Sequence, residues 1–310
     1  MAYSFNRKED ILFLTKEWTG ERFEDGRPKV SDSLLERLKN VTTEEAVLAM
    51  IDKGYYHQFE GDLKRTHGDT RLIGRAVTAV MVPTRRDVHM NLLREGQNKE
   101  GRSGFFNQWV IESLTEHDVC VVDMCDQILY GTYVGGNLST AIKSRTKDGG
   151  AIIWGGIRDL EQIVQIDDFQ VYYRGVDPTP IGDVMMTGMN VPTRIGHAVC
   201  LPGDVVLGTI SGVTFIPAHL AEYVASTAEK SHIKDVFGFQ RLESGTYTSA
   251  QIDTDWTEEI MDDFINWFAT DEAAKPYQHL DWTEDIEKSR TPSKHIGLVG
   301  YQYNVDADNI

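Results

Sequence analysis

Between Leu72 and Glu229, short β-rich runs alternate with glycines and are interrupted by two helical stretches. This alternation restricts the fold more than any other feature of the chain. Leu72–Val82 (closed by Pro83), Asp118–Asp123, Ala151–Trp154, Phe169–Tyr173, Val191–Ile195, Ala198–Leu201, Val205–Gly208 and Val213–Ile216 all read as strands. Asn137–Ser144 and Pro217–Lys230 read as helices. Pro202-Gly203-Asp204 marks a turn between two of the strands. Strands mixed with helices in this way predict a compact α/β core with a mixed sheet.

The flanks differ from this middle. Residues 1–71 read as a helical, polar N-terminal extension packed on the core, 72–230 as the α/β core, and 231–310 as an acidic, largely helical C-terminal extension. Ser31 is placed to cap a short helix carrying Leu34, Leu35 and Leu38. Thr42 and Glu45 have capping-box spacing, and Gly54 is placed to end that second helix. From Gln251 to Lys288 there are 12 acidic residues against Lys275 and Lys288. Asp255-Trp256-Thr257-Glu258 and Asp281-Trp282-Thr283-Glu284 echo each other as helix starts, with carboxylates facing the first amides. Trp256, Ile260, Phe264 and Trp267/Phe268 form an apolar stripe, which calls for amphipathic helices packed on the core or on a neighbouring subunit.

Composition excludes several classes. The 310 residues hold 31 Lys+Arg against 48 Asp+Glu, a formal charge of −17. Such a surface repels phosphate backbones and anionic membranes, so neither nucleic acid nor membrane is an expected partner. No stretch approaches the roughly 18 apolar residues of a spanning helix. The first ten residues lack the apolar segment of a signal peptide, which makes the cytoplasm the expected location. Cys120, Cys125 and Cys200 form no CxxC pair and read as free, mostly buried thiols. The nine histidines are scattered, with no i, i+4 pair, and read as structural or surface residues.

One constellation has the makings of a site: Gly135-Gly136-Asn137-Leu138-Ser139-Thr140-Ala141, then Gly149-Gly150-Ala151-Ile152-Ile153-Trp154-Gly155-Gly156-Ile157-Arg158-Asp159. Gly135-Gly136 lets the backbone approach a ligand closely. Asn137 suits an N-cap, and a helix start preceded by glycines is a seat for a carboxylate or phosphate. Arg158 and Asp159 follow the strand, where α/β proteins place ligands. Arg158 offers a planar fork for a carboxylate or enolate oxygen, and Asp159 a hard oxygen for Mg²⁺ or Mn²⁺. Taken singly, each piece has an ordinary structural explanation: Gly-Gly before a helix is common, and an Arg-Asp pair is often a surface ion pair. The spacing, with 20 residues between Asn137 and Arg158, makes the combination more specific.

With these motifs, and with Leu72-Ile73-Gly74-Arg75-Ala76-Val77-Thr78, Val191-Pro192, Ile195-Gly196, Pro202-Gly203-Asp204, Gly212-Val213 and Pro217, the chain resembles the RraA-like family over roughly Val30 to Glu229. That family includes 4-hydroxy-4-methyl-2-oxoglutarate aldolase (also an oxaloacetate decarboxylase), the regulator of ribonuclease activity A, and chains labelled demethylmenaquinone methyltransferase. The terminal extensions and an insert around Glu95–Gln108 exceed its short members. The resemblance implies a swivelling β/β/α fold assembled as a homotrimer or homohexamer, with the active site between subunits. It implies that the backbone at Gly136, Asn137, Leu138 and Ser139 binds the carboxylate of a small-molecule 2-oxo acid. Arg158 then contacts the oxo or enolate oxygen, and Asp159 holds the divalent metal.

Asn137 stands where aldolase members often carry an acidic residue, so only the backbone contacts transfer there. Aldolases also draw a carboxylate from a neighbouring subunit, for which Asp123, Glu60 and Asp183 are candidates. The expected activity is therefore metal-dependent carbon–carbon lyase chemistry, either aldol cleavage or decarboxylation. Elimination of water from a sugar-derived acid could share its intermediate. The rival is a non-catalytic protein-binding regulator; retention of Asp159 argues against it. No glycine-rich nucleotide fingerprint supports a methyltransferase.

Overall fold

The structure, a computed structural model, describes residues 3–290. Its strands are β1 (Phe59–Glu60), β2 (Lys64–Arg65), β3 (Leu72–Pro83), β4 (Asp118–Asp123), β5 (Ala151–Ile157), β6 (Val171–Val176), β7 (Val184–Met189), β8 (Thr193–Ile195), β9 (Ala198–Cys200), β10 (Val205–Gly208) and β11 (Val213–Ile216). Its α-helices are α1 (Lys8–Leu14), α2 (Asp32–Leu38), α3 (Thr43–Ile51), α4 (Arg86–Arg94), α5 (Phe106–Ile111), α6 (Gly136–Thr146), α7 (Leu160–Ile163), α8 (Ala221–Glu243), α9 (Ser249–Ile252), α10 (Glu258–Thr270) and α11 (Thr283–Arg290). A π-turn, Glu95–Lys99, continues α4. The chain divides into two compact units. One holds residues up to Thr43 and Tyr56–Glu222; the other holds Glu44–Tyr55 and the chain from Tyr223 onward.

The first unit is built on β3. Its 12 residues are almost wholly buried. That length lets one edge of β3 serve two antiparallel partners: β10 along Leu72–Arg75 and β7 along Ala79–Pro83. On the other edge β3, β4, β5 and β6 run parallel, and the full order is β1-β11-β10-β3-β4-β5-β6-β2 with β7 on β3. This is the mixed sheet that the alternating runs predict.

Alternation along each strand sends successive side chains to opposite faces. Cys120, Val122, Ala151 and Ile153 pack beneath Trp109, Val110 and Ile142 of the connecting helices. Val119, Val121, Ile152 and Tyr172 pack beneath Ile195 and Ala198 of the β8–β9 hairpin. Helices therefore cover one face and a hairpin the other, giving the expected β/β/α layering.

Element boundaries moved in several places. β5 continues through Gly155-Gly156 to Ile157, β6 begins at Val171, and α8 reaches Glu243. Strand β7, Val184–Met189, is not signalled by the sequence, because its Met-Met-Thr-Gly-Met composition has weak β-propensity. The Ser31 hydroxyl caps α2 by accepting from Leu34 N–H, as expected. Gly54, at φ +85, closes the turn after α3, where Gly54 N–H donates to Ile51 O and Tyr55 N–H to Met50 O.

In the second unit Thr257, rather than Asp255, caps its helix, accepting from Ile260 N–H. The aromatic stripe lies in that unit's own core, where Phe264 and Trp267 meet Ile233 and Phe237 of α8 and Trp282. Cys120 and Cys200 are buried and Cys125 is exposed; all three are free thiols. Among the described residues no helix is long and apolar enough to cross a membrane.

Candidate active site

β5 stops at Ile157, so Arg158 and Asp159 are the first residues past its carboxyl end. The strip 127–134 runs beside that end. Gly156 N–H donates to Gln127 O (2.8 Å), Tyr133 N–H to Gly156 O (2.9 Å) and Arg158 N–H to Val134 O (2.9 Å). The glycines of β5 permit this approach: a Cβ on Gly155 would lie 2.8 Å from Gln127 O, and one on Gly156 2.9 Å from Ile128 O. The outward carbonyl of Tyr133 is held by the buried Asn107 of α5, whose Nδ2 donates to it at 2.7 Å. The strip thus delivers Gly135 beside Arg158.

α6 starts there, two residues earlier than an Asn137 cap would place it. Gly135 is the N-cap, in extended conformation, and its carbonyl accepts from Ser139 N–H at 3.0 Å. Asn137 becomes the second helical residue, with an exposed side chain. The side-chain cap comes from outside the helix, because Gly136 N–H donates to Asp159 Oδ2 at 3.1 Å. A carboxylate at this end is favoured by the helix dipole.

The sequence reading leaves the room at Gly135-Gly136 to a ligand, but the chain itself takes much of it. A Cβ on Gly135 would lie 2.2 Å from Asp159 Oδ2 and 2.9 Å from Arg158 Cγ, and one on Gly136 would lie 2.1 Å from Gln162 Oε1. Asp159 is held at φ +55, ψ 38, a left-handed conformation that Asp adopts at lower cost than most residues. Arg158 Nε lies 3.4 Å from Asp159 Oδ2, with the two side chains 26% and 37% exposed. At that exposure the ion pair contributes little stability. Its importance is that a guanidinium and a carboxylate share the rim of a helix start.

Donors remain open at that rim. Among the described residues the Asn137 and Leu138 amides have no acceptor. The Ser139 amide is engaged by Gly135, and its buried Oγ has no partner. Asp159 Oδ1 accepts no hydrogen bond, and no three His, Cys, Asp or Glu side chains gather to hold a metal among the described residues. One free carboxylate oxygen suits an ion such as Mg²⁺, which keeps most of its water, and not a cage of protein ligands.

The other candidate carboxylates stand apart. Asp123 ends β4 on the face of Val119 and Val121, opposite the face covered by α6. Burial pushes its carboxyl up, against the Cys125 amide and Arg194, 3.8 Å away. Glu60 accepts from Asp62 N–H and His197 N–H and so pins two loops. Asp183 sits at φ +53, and its carbonyl accepts from Thr84 N–H. No hydrogen bond or ion pair joins any of the three to Arg158 or Asp159.

Two residues at or behind the site have no sequence signature. Gln162 lies against Gly136, and the only available hint is its position one helical turn beyond Asp159. Asn107 braces the strip from an element with no local tie to the motif.

Residues 28–215 match the family described as RraA-like, Aldolase/RraA. A Halalkalibacterium halodurans protein provisionally named 4-hydroxy-4-methyl-2-oxoglutarate aldolase is 29% identical over 121 residues. That match covers 38% of this chain and 55% of the relative, so it spans about half of that relative's length. Among solved structures, Streptomyces coelicolor RraAS2, described as an unusual member of the RNase ES inhibitor RraA family, superposes with a TM-score of 0.59 at 20% identity, covering 69% of this chain and 98% of that one. An uncharacterized Pseudomonas syringae pv. tomato protein gives 0.58 at 18% identity, with 73% and 98% covered. These likenesses show a shared fold.

Proposed function

Because this chain belongs to the RraA-like family, we propose that it is a divalent-metal-dependent carbon–carbon lyase that cleaves a 2-oxo acid through an enolate. One observation carries the reading: the open Asn137 and Leu138 amides share the start of α6 with the Arg158 guanidinium and the Asp159 carboxylate. Two amides at a helix start suit a carboxylate. A guanidinium beside them suits the oxygen on which charge develops.

In this reading the Asn137 and Leu138 amides take the C1 carboxylate and hold C2 toward Arg158. The C3–C4 bond breaks, and its electron pair forms the C2–C3 double bond of the enolate. Arg158 stabilises the charge gathering on the C2 oxygen. Protonation at C3 then gives pyruvate. From oxaloacetate the departing fragment is carbon dioxide; from a 4-hydroxy-2-oxo acid it is a carbonyl compound, whose hydroxyl proton is lost. Asp159 would hold Mg²⁺ or Mn²⁺, which when bound polarises the 2-oxo group. The same reading takes a cytoplasmic homotrimer or homohexamer, testable by light scattering.

The test is pyruvate release from oxaloacetate with Mg²⁺, with excess chelator, and with Arg158→Ala. Release above the metal-only background that disappears in both controls supports the lyase. Unchanged release by Arg158→Ala defeats the enolate mechanism. No release at all, with Mg²⁺ shown to bind, directs the search to other 2-oxo acids and to sugar-derived acids that lose water. No release and no binding leaves the regulator reading.

A further inference from the structure

The carboxylate that caps α6 belongs to the residue that would hold the cation. Asp159 Oδ2 is bonded to the Gly136 amide at 3.1 Å and lies 3.4 Å from Arg158 Nε. It also fills the space over Gly135, where a Cβ would meet it at 2.2 Å. One oxygen thus occupies three features that an incoming carboxylate would use: the first helix amide, the guanidinium and the cradle left by a glycine. We infer that Asp159 is a latch on the anion seat: with no cation to hold, it occupies the Gly136 amide and stands by Arg158 beside the open Asn137 and Leu138 amides, so cation and substrate bind with positive coupling. This rests on the reading of the site as a 2-oxo acid site.

The argument is one of charge and space. A substrate carboxylate bonded to the Asn137 and Leu138 amides arrives next to a carboxylate already on Gly136. Like charges at contact distance oppose each other, and the partly exposed rim screens this only in part. Turning Oδ2 away would leave the Gly136 amide, the third donor at the helix start, free for the substrate. It would also release Arg158. Asp159 has a reason to turn when it takes a divalent cation, because the cation competes with the Gly136 amide and Arg158 for the carboxylate's charge, and the partly exposed side chain has room to move. Linkage then requires reciprocity, so the factor by which the cation tightens the anion is the factor by which the anion tightens the cation.

The experiment is calorimetric titration of the full chain with pyruvate, metal-free and in saturating MgCl₂, for the wild type, Asp159→Asn and Asp159→Gly. Asn and Gly both accept the left-handed backbone at this position, so both variants should fold; thermal unfolding checks this. In the wild type, Mg²⁺ should tighten pyruvate about tenfold or more, and pyruvate should tighten Mg²⁺ by the same factor. Both variants should bind pyruvate without metal several-fold more tightly than the metal-free wild type, and Mg²⁺ should then change little.

Direct chelation of pyruvate by the cation would also couple the two ligands, but it predicts no metal-free gain in the variants. Variants no tighter than wild type therefore overturn the latch. Equal wild-type affinity with and without Mg²⁺ overturns it too, as does an opened seat that binds no pyruvate. The lyase reading fails separately, if coupling is present and neither oxaloacetate nor any other 2-oxo acid or sugar-derived acid is turned over.

Discussion

In the helical unit, Arg241 meets Asp263, and Lys230 and Lys234 meet Asp285, at partly exposed positions. The interior beneath them is aromatic: Phe264 lies 4.7 Å from the Trp282 ring and 5.4 Å from Phe237. In the sheet unit, polar groups go inside. Arg27 grips Asp118 with two bonds, at 2.8 and 3.2 Å, both residues being buried. Asp204 is buried with no cation against it, accepting from Leu201 N–H at 2.7 Å. Apolar packing is non-directional, whereas a buried hydrogen bond fixes both partners. The comparison teaches that the unit carrying Gly135, Arg158 and Asp159 fixes part of its interior with buried directional bonds, whereas the described core of the helical unit is packed mainly by aromatic rings.

The sharpest test of this contrast has the largest expected effect. Phe264→Ala should cost about 3–5 kcal/mol of stability in the helical unit. Oxaloacetate cleavage by whatever protein stays folded should be unchanged. A proportional loss of turnover per folded molecule would break the contrast. Arg158→Ala should do the reverse, lowering turnover by roughly 10²–10³ while thermal unfolding stays near wild type.

A third prediction concerns Asp204, whose carboxyl burial pushes from 3.8 to about 7. The folded state holds this proton when the unfolded chain has released it. Stability is therefore unpenalised below about pH 4 and declines as pH rises to about 7. One such group contributes a slope of up to about 1.4 kcal/mol per pH unit. Asp204→Asn should flatten that decline in denaturant titrations across the window; an unchanged slope would mean other groups govern it. The smallest effect should come from Thr257→Ala, which removes the α10 cap and should cost about 1 kcal/mol by urea unfolding, with no change in cleavage.

Parts of both units were legible in the sequence for different reasons. The stripe Trp256, Ile260, Phe264, Trp267 and Phe268 repeats at helical spacing, and periodicity survives without tertiary knowledge. Asp118–Asp123 and Val205–Gly208 are apolar runs of strand length and appear as read. Val184–Met189 was not legible, because its place beside β3 depends on that strand outrunning β10. The Gly135-Gly136 and Arg158-Asp159 pairs were visible as a motif. That Asp159 itself caps α6 was not, because the contact spans 23 residues and depends on the course of the strip 127–134. Asn107 was hidden for the same reason.

The sequence by itself determined the layered α/β core, the acidic surface, the family and the residues grouped around a helix start, since these follow from periodicity, charge and local spacing. Only the tertiary structure decided which residue caps that helix, which amides stay open, and that Asp204 is buried without a cation while Asp118 has one. Those outcomes depend on chain segments distant in sequence meeting at hydrogen-bond distance, and no local pattern encodes such a meeting.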